Sequence, residues 1–392
     1  MAYSTVTFFP VNNGAMALLK LNDENETTLL VDMHIREAAD DDKKNDAYDV
    51  ANHLRNQLKT DDEGRPYLDV FVLSHNDDDH IKGIQNHFHL GSLDEYKEPK
   101  DGEEPKVIIN EIWSSSRFWK RASNCNTLND DGKAFNREMK RRVTLFEDTR
   151  EIQDDSDRVL IICEDPDDKT DGLEDIVKKL YCSFSTINQR DLSGKLSVKI
   201  LGPLPQQDDE LEDDFKKKNR GSIILLIEVT EGDYSNKILL PGDTEVFVWE
   251  CLWEKFKYSP HNLEYDILLA PHHCSRYSLS YPSQSKCDEP KIAEKAKKAL
   301  SQKKDGAYII SSSKPIKNDD DDPPSYAAKE EYLTIVDKEH FLCTEEYPKE
   351  NDVAPIVLNL TSSGPQLKSP KAKSKISVAS SAVAGEAFGH GG

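Results

Sequence analysis

The residues best suited to chemistry lie in the stretch Ser74–His80, which reads Ser-His-Asn-Asp-Asp-Asp-His and directly follows an unbroken apolar run. In extended backbone His75 and Asp77 point the same way, because side chains repeat every two residues. Asp79 and His80 can reach a second point as the chain turns. Imidazole nitrogens and carboxylate oxygens are ligands that zinc and manganese share. The stretch therefore predicts a site for two divalent cations; the alternative is a solvated acidic loop with incidental histidines.

Two later strand ends offer more residues of the ligand type. Leu239–Asp243 ends an apolar strand with a glycine turn and a carboxylate. The run Tyr265–Pro271 is followed directly by His272 and His273. Each feature alone is weak, because Gly-Asp ends many strands and a histidine pair can be a surface turn. Together they indicate a site, since catalytic residues of α/β proteins gather beyond the carboxyl ends of strands.

The order and content of these motifs resemble the metallo-β-lactamase superfamily, and within it the branch typified by the hydrolase domain of the competence protein ComEC. The resemblance covers roughly residues 5–112 and 196–345. The matching residues are His75, Asp77, Asp79 and His80 for the H-x-D-x-D-H motif, Gly242 and Asp243 for the Gly-Asp motif, Pro271, His272, His273 and Ser275 for the Pro-His-His-Gly-Ser motif, Asn219 and Ser222 for the Asn-x-x-Ser element, and Glu245.

This resemblance implies a four-layer αββα sandwich with a metal centre at one edge, holding two divalent ions, Zn²⁺ or Mn²⁺. It implies catalytic roles for Asp79 and for His273, the latter as an alternative ligand or as the general acid for the leaving group. The implied ligands are His75 and Asp77 for one ion and Asp79, His80 and His272 for the other, with Asp243 bridging both.

The chain also departs from the family pattern. Cys274 stands where the family has glycine, and we interpret it as a buried structural thiol rather than a group near the metals. The segment Asp32–His34 reads Asp-Met-His where an acidic residue and a glycine are usual. The superfamily often supplies a further ligand between the first motif and Gly-Asp. Candidates for it are His87, His89 and the strand end Ser114–Ser116.

The charge balance argues against a protein that coats nucleic acid. The 392 residues contain 51 Lys and Arg against 73 Asp and Glu, a formal net charge of −22, and such a chain repels polyanions on average. Two local basic stretches, Lys133–Arg142 and Lys216–Arg220, could still grip a nucleic-acid backbone; the alternative for each is a solvated face. The expected substrate contacts are Lys217, Lys218, Asn219, Arg220 and Ser222.

These features predict a metal-dependent phosphodiesterase, foremost a nuclease that cleaves DNA or RNA through a metal-activated water. Asp77 occupies a position where hydrolases of β-lactams and thioesters usually carry histidine, which favours phosphodiesters and Mn²⁺ beside Zn²⁺. One alternative is a small-molecule or cyclic-nucleotide hydrolase. Another is a regulatory or assembly subunit of a multi-protein complex, for example in anti-phage defence, with latent activity and a partner such as an ATPase or sensor.

The predicted strands and helices that position these loops alternate along the chain, which predicts the α/β class with a layered sheet. We expect one domain over residues 1–362, an insertion at about 115–195, and a disordered tail over 363–392, whose Ser/Ala/Lys/Gly composition lacks periodicity. No apolar run approaches the roughly 20 residues of a membrane span, so no membrane contact is expected. The seven cysteines contain no C-x-x-C pair, which predicts reduced thiols in a cytoplasmic protein. Predicted strands are Thr5–Phe9, Ala15–Leu21, Thr28–Asp32, Leu68–Leu73, Val107–Trp113, Leu196–Leu201, Ser222–Val229, Lys237–Leu240, Tyr265–Ala270 and Ala307–Ser311. Predicted helices are Asp46–Leu58, Lys133–Val143, Leu173–Tyr181, Thr244–Phe256, Lys291–Leu300 and Ser325–Val336, and the irregular segment between about 115 and 195 also contains an apolar run at Val159–Cys163.

Overall fold

Two mixed β-sheets form the centre of the computed structural model, which describes residues 3–36, 48–119, 128–152, 154–164, 170–205, 218–282 and 291–370. The strands are β1 (Ser4–Phe8), β2 (Ala17–Lys20), β3 (Thr28–Val31), β4 (Met33–His34), β5 (Lys59–Thr60), β6 (Pro66–Val72), β7 (Ile108–Ser114), β8 (Arg158–Ile162), β9 (Val177–Lys178), β10 (Ser183–Phe184), β11 (Thr186–Ile187), β12 (Arg190–Asp191), β13 (Leu196–Gly202), β14 (Ile224–Glu231), β15 (Tyr234–Leu240), β16 (Tyr265–Leu269), β17 (Lys303–Ser311), β18 (Phe341–Cys343), β19 (Ile356–Thr361) and β20 (Gly364–Leu367).

The strand order of the first sheet is β20-β19-β1-β2-β3-β6-β7-β8-β9, with β5 paired to β6. The strand order of the second sheet is β10-β13-β14-β15-β16-β17-β18, and β11 with β12 forms a separate hairpin.

Each sheet has a parallel half, and these halves carry the loops of interest. β3, β6, β7, β8 and β9 run parallel in the first sheet, and β15, β16, β17 and β18 run parallel in the second. Parallel neighbours end at the same sheet edge, so the loops after β6, β15 and β16 can converge. The helices are α1 (Val50–Arg55), α2 (Asp78–Ile81), α3 (Ile84–His87), α4 (Ser116–Trp119), α5 (Asp130–Thr149), α6 (Val246–Phe256), α7 (Glu294–Leu300) and α8 (Tyr326–Tyr332).

Apolar side chains form three clusters that explain the packing. One combines the inward faces of both sheets, for example Val70 and Ile227. A second joins the outer face of the first sheet to helices, as where Phe71 meets Phe135 of α5. The third joins the outer face of the second sheet to α6, α7 and α8, with Trp249 at its centre. Helices therefore cover the outer face of each sheet, and the predicted α/β class is confirmed.

The segment predicted as an insertion is integral to both sheets. It contributes β8 and β9 to the first sheet, α5 to the outer face of that sheet, and β10 to the second sheet. The predicted helix at Leu173–Tyr181 is wrong: Glu174–Ile176 forms a 3₁₀ turn, and Val177–Lys178 pairs as an edge strand with β8. The backbone hydrogen bonds of this apolar segment are satisfied by the sheet, which outweighs its helical pattern.

The tail starts later than its composition indicates. Gly364–Leu367 forms β20, antiparallel to β19 across a tight turn in which the Thr361 hydroxyl donates to the Gly364 carbonyl. The domain boundary at residue 362 is therefore too early, and residues 371–392 lie outside the described part of the chain. Every helix within the described ranges is too short or too polar to cross a lipid bilayer.

Candidate metal centre

The loop after β6 carries the first group of predicted ligands. Asp77 precedes α2, and this single helical turn contains Asp79 and His80. The loop is tied to the second sheet, because the Ile223 amide donates to the Ser74 carbonyl at 2.8 Å. The residue before β14 therefore holds the loop after β6 in place against the second sheet.

Gly242 brings the end of β15 against this same loop. Its φ is +57°, and a Cβ at this position would lie 2.8 Å from Ser74 Oγ. Only glycine combines the left-handed backbone with so close an approach. Asp243 is consequently buried between the two sheets, directly opposite His80.

The histidine pair after β16 has left-handed backbone without glycine. φ is +49° at His272, +52° at His273 and +65° at Cys274. The His272 amide donates to the Gly242 carbonyl at 3.1 Å, which joins this turn to the previous one. The turn separates the two imidazoles, whose ring centroids are 6.2 Å apart. The rings therefore face different parts of the site.

Four of the predicted residues form a tight cluster. One ligand atom from each of Asp79, His80, Asp243 and His273 lies within 4.8 Å of the others. His80 Nε2 is 2.9 Å from Asp243 Oδ1, and His273 Nε2 is 3.2 Å from Asp79 Oδ2 and 3.6 Å from Asp243 Oδ1. The cluster could hold a metal ion. The histidine of the pair that joins this cluster is His273, and His272 lies outside it.

The remaining predicted ligands surround the other oxygen of Asp243. His75 Nδ1 lies 4.0 Å and His272 Nε2 lies 3.9 Å from Asp243 Oδ2, and His75 Nδ1 is 3.8 Å from Asp77 Oδ2. Asp243 thus presents one carboxylate oxygen to each group of side chains. This second group is looser than the first, and its His272 side chain is 18% exposed, whereas His80 and His273 are buried.

Asp32, just past β3, orients the cluster from behind. It is buried, and its carboxylate accepts hydrogen bonds from the Ser74 amide, the Ser74 hydroxyl and His80 Nδ1, the last at 2.8 Å. His273 Nδ1 likewise donates to the Ser312 carbonyl at 3.0 Å. Both bonds place the ring proton on Nδ1 and leave Nε2 to face the cluster, as carboxylate and carbonyl partners do for metal-ligating histidines. Sequence reasoning noted Asp32 only as a departure from a motif.

The facing atoms lack hydrogen bonds of good geometry. These buried atoms include both ring nitrogens of His75, Nε2 of His80 and of His273, and Oδ1 of Asp243. A buried polar atom without a partner costs about 1–3 kcal/mol, and here several point at one place. A cation would satisfy all of them, so the donor set fits a divalent metal ion.

The electrostatics of the centre reflect burial and close opposite charges. Burial alone would lower the pKa of His80, but the carboxylates of Asp243 and Asp32 outweigh burial and raise it well above its ordinary value. Burial would raise the pKa of Asp243, yet the neighbouring His80 and His273 hold it well below its usual range. The pKa of His75 is lowered, chiefly by burial. The centre thus holds charged carboxylates beside imidazoles.

The predicted substrate contacts divide into two sets. Asn219 and Ser222 adjoin the centre: Asn219 Nδ2 donates to Glu245 at 2.8 Å, and Ser222 is buried against Gly242. Arg220 is buried, stacks on Phe247 and donates to the Pro205 carbonyl at 3.2 Å, so it stabilises the loop and is not an open phosphate grip. Lys217, and the side chain of Lys218, lie outside the described residues.

Two arginines of the basic stretch on α5 are structural. Arg142 is buried and donates to Glu138 and to the carbonyls of Ile109, Asn110 and Arg158. Arg141 bridges Glu138 and Asp157. Both side chains serve the packing of α5 on the first sheet, whereas the other three cations of the stretch are exposed, namely Lys133, Arg137 and Lys140. A nucleic-acid contact there stays a prediction.

The candidates for a further ligand lie elsewhere. His87 Nδ1 accepts from Arg55 at 3.0 Å, and His89 Nε2 contacts the Ser92 carbonyl at 2.8 Å. Ser114 ends β7 and Ser116 begins α4. Cys274 is fully buried, and burial raises its thiol pKa, which confirms a structural thiol.

Neither protein-family models nor curated protein sequences match this chain. The chemistry of the site therefore rests on the residues themselves. What they establish is a buried His and Asp cluster that could hold a metal ion at an edge shared by two sheets.

Proposed function

We propose that the chain is a metal-dependent phosphodiesterase acting on nucleic acid or nucleotides, with the αββα architecture of the metallo-β-lactamase superfamily. The observation that carries the proposal is the convergence of Asp79, His80, Asp243 and His273 within 4.8 Å, where His80 Nε2, His273 Nε2 and Asp243 Oδ1 are buried without a hydrogen bond of good geometry. The two sheets, each with helices packed on its outer face, support the layered architecture that the resemblance implies.

The division of ligands around Asp243 supports two ions rather than one. Asp79, His80 and His273 would hold one ion with Asp243 Oδ1, and His75, Asp77 and His272 would hold the other with Oδ2. Bound divalent ions supply a nucleophilic water at neutral pH and neutralise charge on the phosphate. The mixed nitrogen and oxygen donors suit Zn²⁺ or Mn²⁺.

The protein residues would set the geometry of this chemistry. Asp32 and the Ser312 carbonyl hold His80 and His273 in one tautomer and one orientation. The floor of the site is buried, whereas Asp77 and Asp79 are each 33% exposed and His272 is 18% exposed. A substrate would therefore approach over these three side chains.

Metal content and phosphodiesterase activity test this proposal together. Purified protein is assayed with Mn²⁺ or Zn²⁺ on single-stranded DNA, duplex DNA, RNA and cyclic nucleotides, and its metal is quantified by mass spectrometry. Because loss of an outer partner alone costs about 10–100-fold, Asp243→Asn should lower activity by more than about 100-fold. His261→Gln, at a histidine of the exposed 3₁₀ turn Pro260–Asn262, is the matched control and should change nothing. Full activity of Asp243→Asn, or a metal-free protein with full activity, would contradict the proposal.

A further inference from the structure

A large cavity lies on the helix-covered face of the first sheet, away from the metal centre. Its volume is about 1420 Å³, and α1, α3, residues 88–106 and α5 bound it. Small-molecule sites occupy about 300–1,000 Å³, so a ligand of nucleotide size fits with room for solvent. None of the residues of the metal centre line it. A ligand bound here would therefore be independent of the metal ions.

Arg55 is a partly buried cation in the lining of this cavity. Its guanidinium donates to His87 Nδ1 at 3.0 Å, and its Nε is buried without a hydrogen bond. Burial, together with the positive charge of Arg55, lowers the pKa of His87 to about 4, so the imidazole is neutral at physiological pH. Within the described ranges no carboxylate forms an ion pair with Arg55. Its positive charge is thus left for something else to balance.

Arg137 of α5 adds a second guanidinium to the same cavity. It is exposed and forms no ion pair with any described residue. The deeper carboxylates are already occupied: Glu138 pairs with Arg141 and Arg142, and Asp49 accepts from the Asn52 amide and side chain at the start of α1. The other acidic groups of the lining belong to the exposed segment 95–104, where water solvates them.

We propose that this cavity binds a phosphate-bearing small molecule of about mononucleotide size, with its phosphate held by Arg55 and Arg137. The planar guanidinium fork matches phosphate oxygens and remains charged at all physiological pH values. His87 is the positioning residue for Arg55, because its neutral ring accepts one N–H of the guanidinium and both residues line the cavity. The site is separate from the proposed phosphodiesterase centre and does not depend on it.

Calorimetric titration with AMP, inorganic phosphate and adenosine tests the site. Chelator is present throughout, so that binding through metal ions is suppressed. The wild-type chain should bind AMP and, more weakly, phosphate, but not adenosine. Arg55→Gln and Arg137→Gln should each weaken AMP binding by about tenfold or more, since each removes charge-assisted hydrogen bonds. Lys338→Gln makes the same charge change on an exposed lysine elsewhere and should leave the affinity unchanged.

Two further variants separate this site from the metal centre and from misfolding. Asp243→Asn should keep wild-type AMP affinity even if it abolishes phosphodiesterase activity. Arg137→Gln decides the question if Arg55→Gln does not fold, because Arg137 is exposed on the helix surface. Absence of AMP binding at millimolar concentration, equal affinity for adenosine, or binding that survives both arginine changes but is lost in Asp243→Asn would each overturn the proposal.

Discussion

Replacing Asp32 by asparagine should weaken metal binding although Asp32 is not one of the cluster residues. The change keeps the shape of the side chain but replaces one acceptor oxygen by an NH₂ group. Asp32 Oδ2 is the atom that accepts from His80 Nδ1 at 2.8 Å and from the Ser74 hydroxyl. Asparagine can still accept from the Ser74 amide, so the loop keeps its tie. His80 would lose the acceptor that fixes its tautomer.

The expected loss of metal affinity follows from the usual contribution of hydrogen-bond partners of metal-ligating histidines. Outer partners of metal-ligating histidines are worth about 10–100-fold in metal affinity, which is about 1.4–2.7 kcal/mol. Stability of the metal-free chain should also fall by about 1.5–3 kcal/mol, since the bonds lost are to a charged group. Competition between the protein and a fluorescent chelator for Zn²⁺ or Mn²⁺ measures the first quantity, and urea unfolding measures the second.

Asp69→Asn is the matched control for this experiment. Asp69 is also a buried carboxylate of the first sheet that accepts several hydrogen bonds, from Thr28, Asn188 and Arg190, but it is remote from the cluster. It should cost stability without changing metal affinity. Unchanged metal affinity in Asp32→Asn, or an equal loss in Asp69→Asn, would refute the role assigned to Asp32.

Three other predictions concern packing and protonation. Gly242→Ala should destabilise the chain in urea unfolding by about 1–3 kcal/mol more than Gly306→Ala, because both have positive φ but only Gly242 would place a Cβ 2.8 Å from another side chain; equal losses would contradict this. Arg142→Met should lower the free energy of unfolding by about 3–5 kcal/mol, since a buried carboxylate and three backbone carbonyls lose the hydrogen bonds that Arg142 donates. Lys140→Met, on the exposed face of α5, should change it by no more than about 0.5 kcal/mol. In the metal-free chain, Asp243 and Asp32 outweigh burial and raise the pKa of His80. The protonated imidazole therefore stabilises the fold fully at pH values below about 6.5, the ordinary pKa of histidine, and this stabilisation is lost as the pH rises through the raised pKa. Metal binding must displace that proton, so chelator competition should show affinity rising with pH, and a flat profile would exclude His80 as a ligand.

The parts of the site that could be predicted are those that depend on local order along the chain. An apolar run followed by ligand-type residues places His75 and Asp243 at strand ends, whatever the rest of the fold does. The choice between His272 and His273 could not be made this way. It depends on left-handed backbone at both residues, and a sequence without glycine there gives no sign of such a turn.

The basic stretches show a second limit of reading charge from sequence. Arg142 and Arg220 look like surface cations because they occur in runs of like charge. Arg142 instead donates to backbone carbonyls at the edges of β7 and β8, groups that a sequence does not reveal as needing a donor. Buried arginine is tolerated only when its donors are satisfied, and that depends on how helix and sheet dock. The same docking places Asp32 behind His80 from a strand far away in sequence.

The centre lies on the seam between the two sheets, and this links metal binding to the docking of the sheets. Asp79 and His80 come from the first sheet, whereas Asp243 and His273 come from the second. The hydrogen bond from Ile223 to Ser74 and the close pairs His80–Asp243 and His273–Asp79 hold the two sets together at this edge. An ion bound at about 100 times its Kd would add about 2.7 kcal/mol to the free energy of unfolding. Since the four residues come together only when both sheets are docked, that free energy specifically opposes separation of the sheets at this edge.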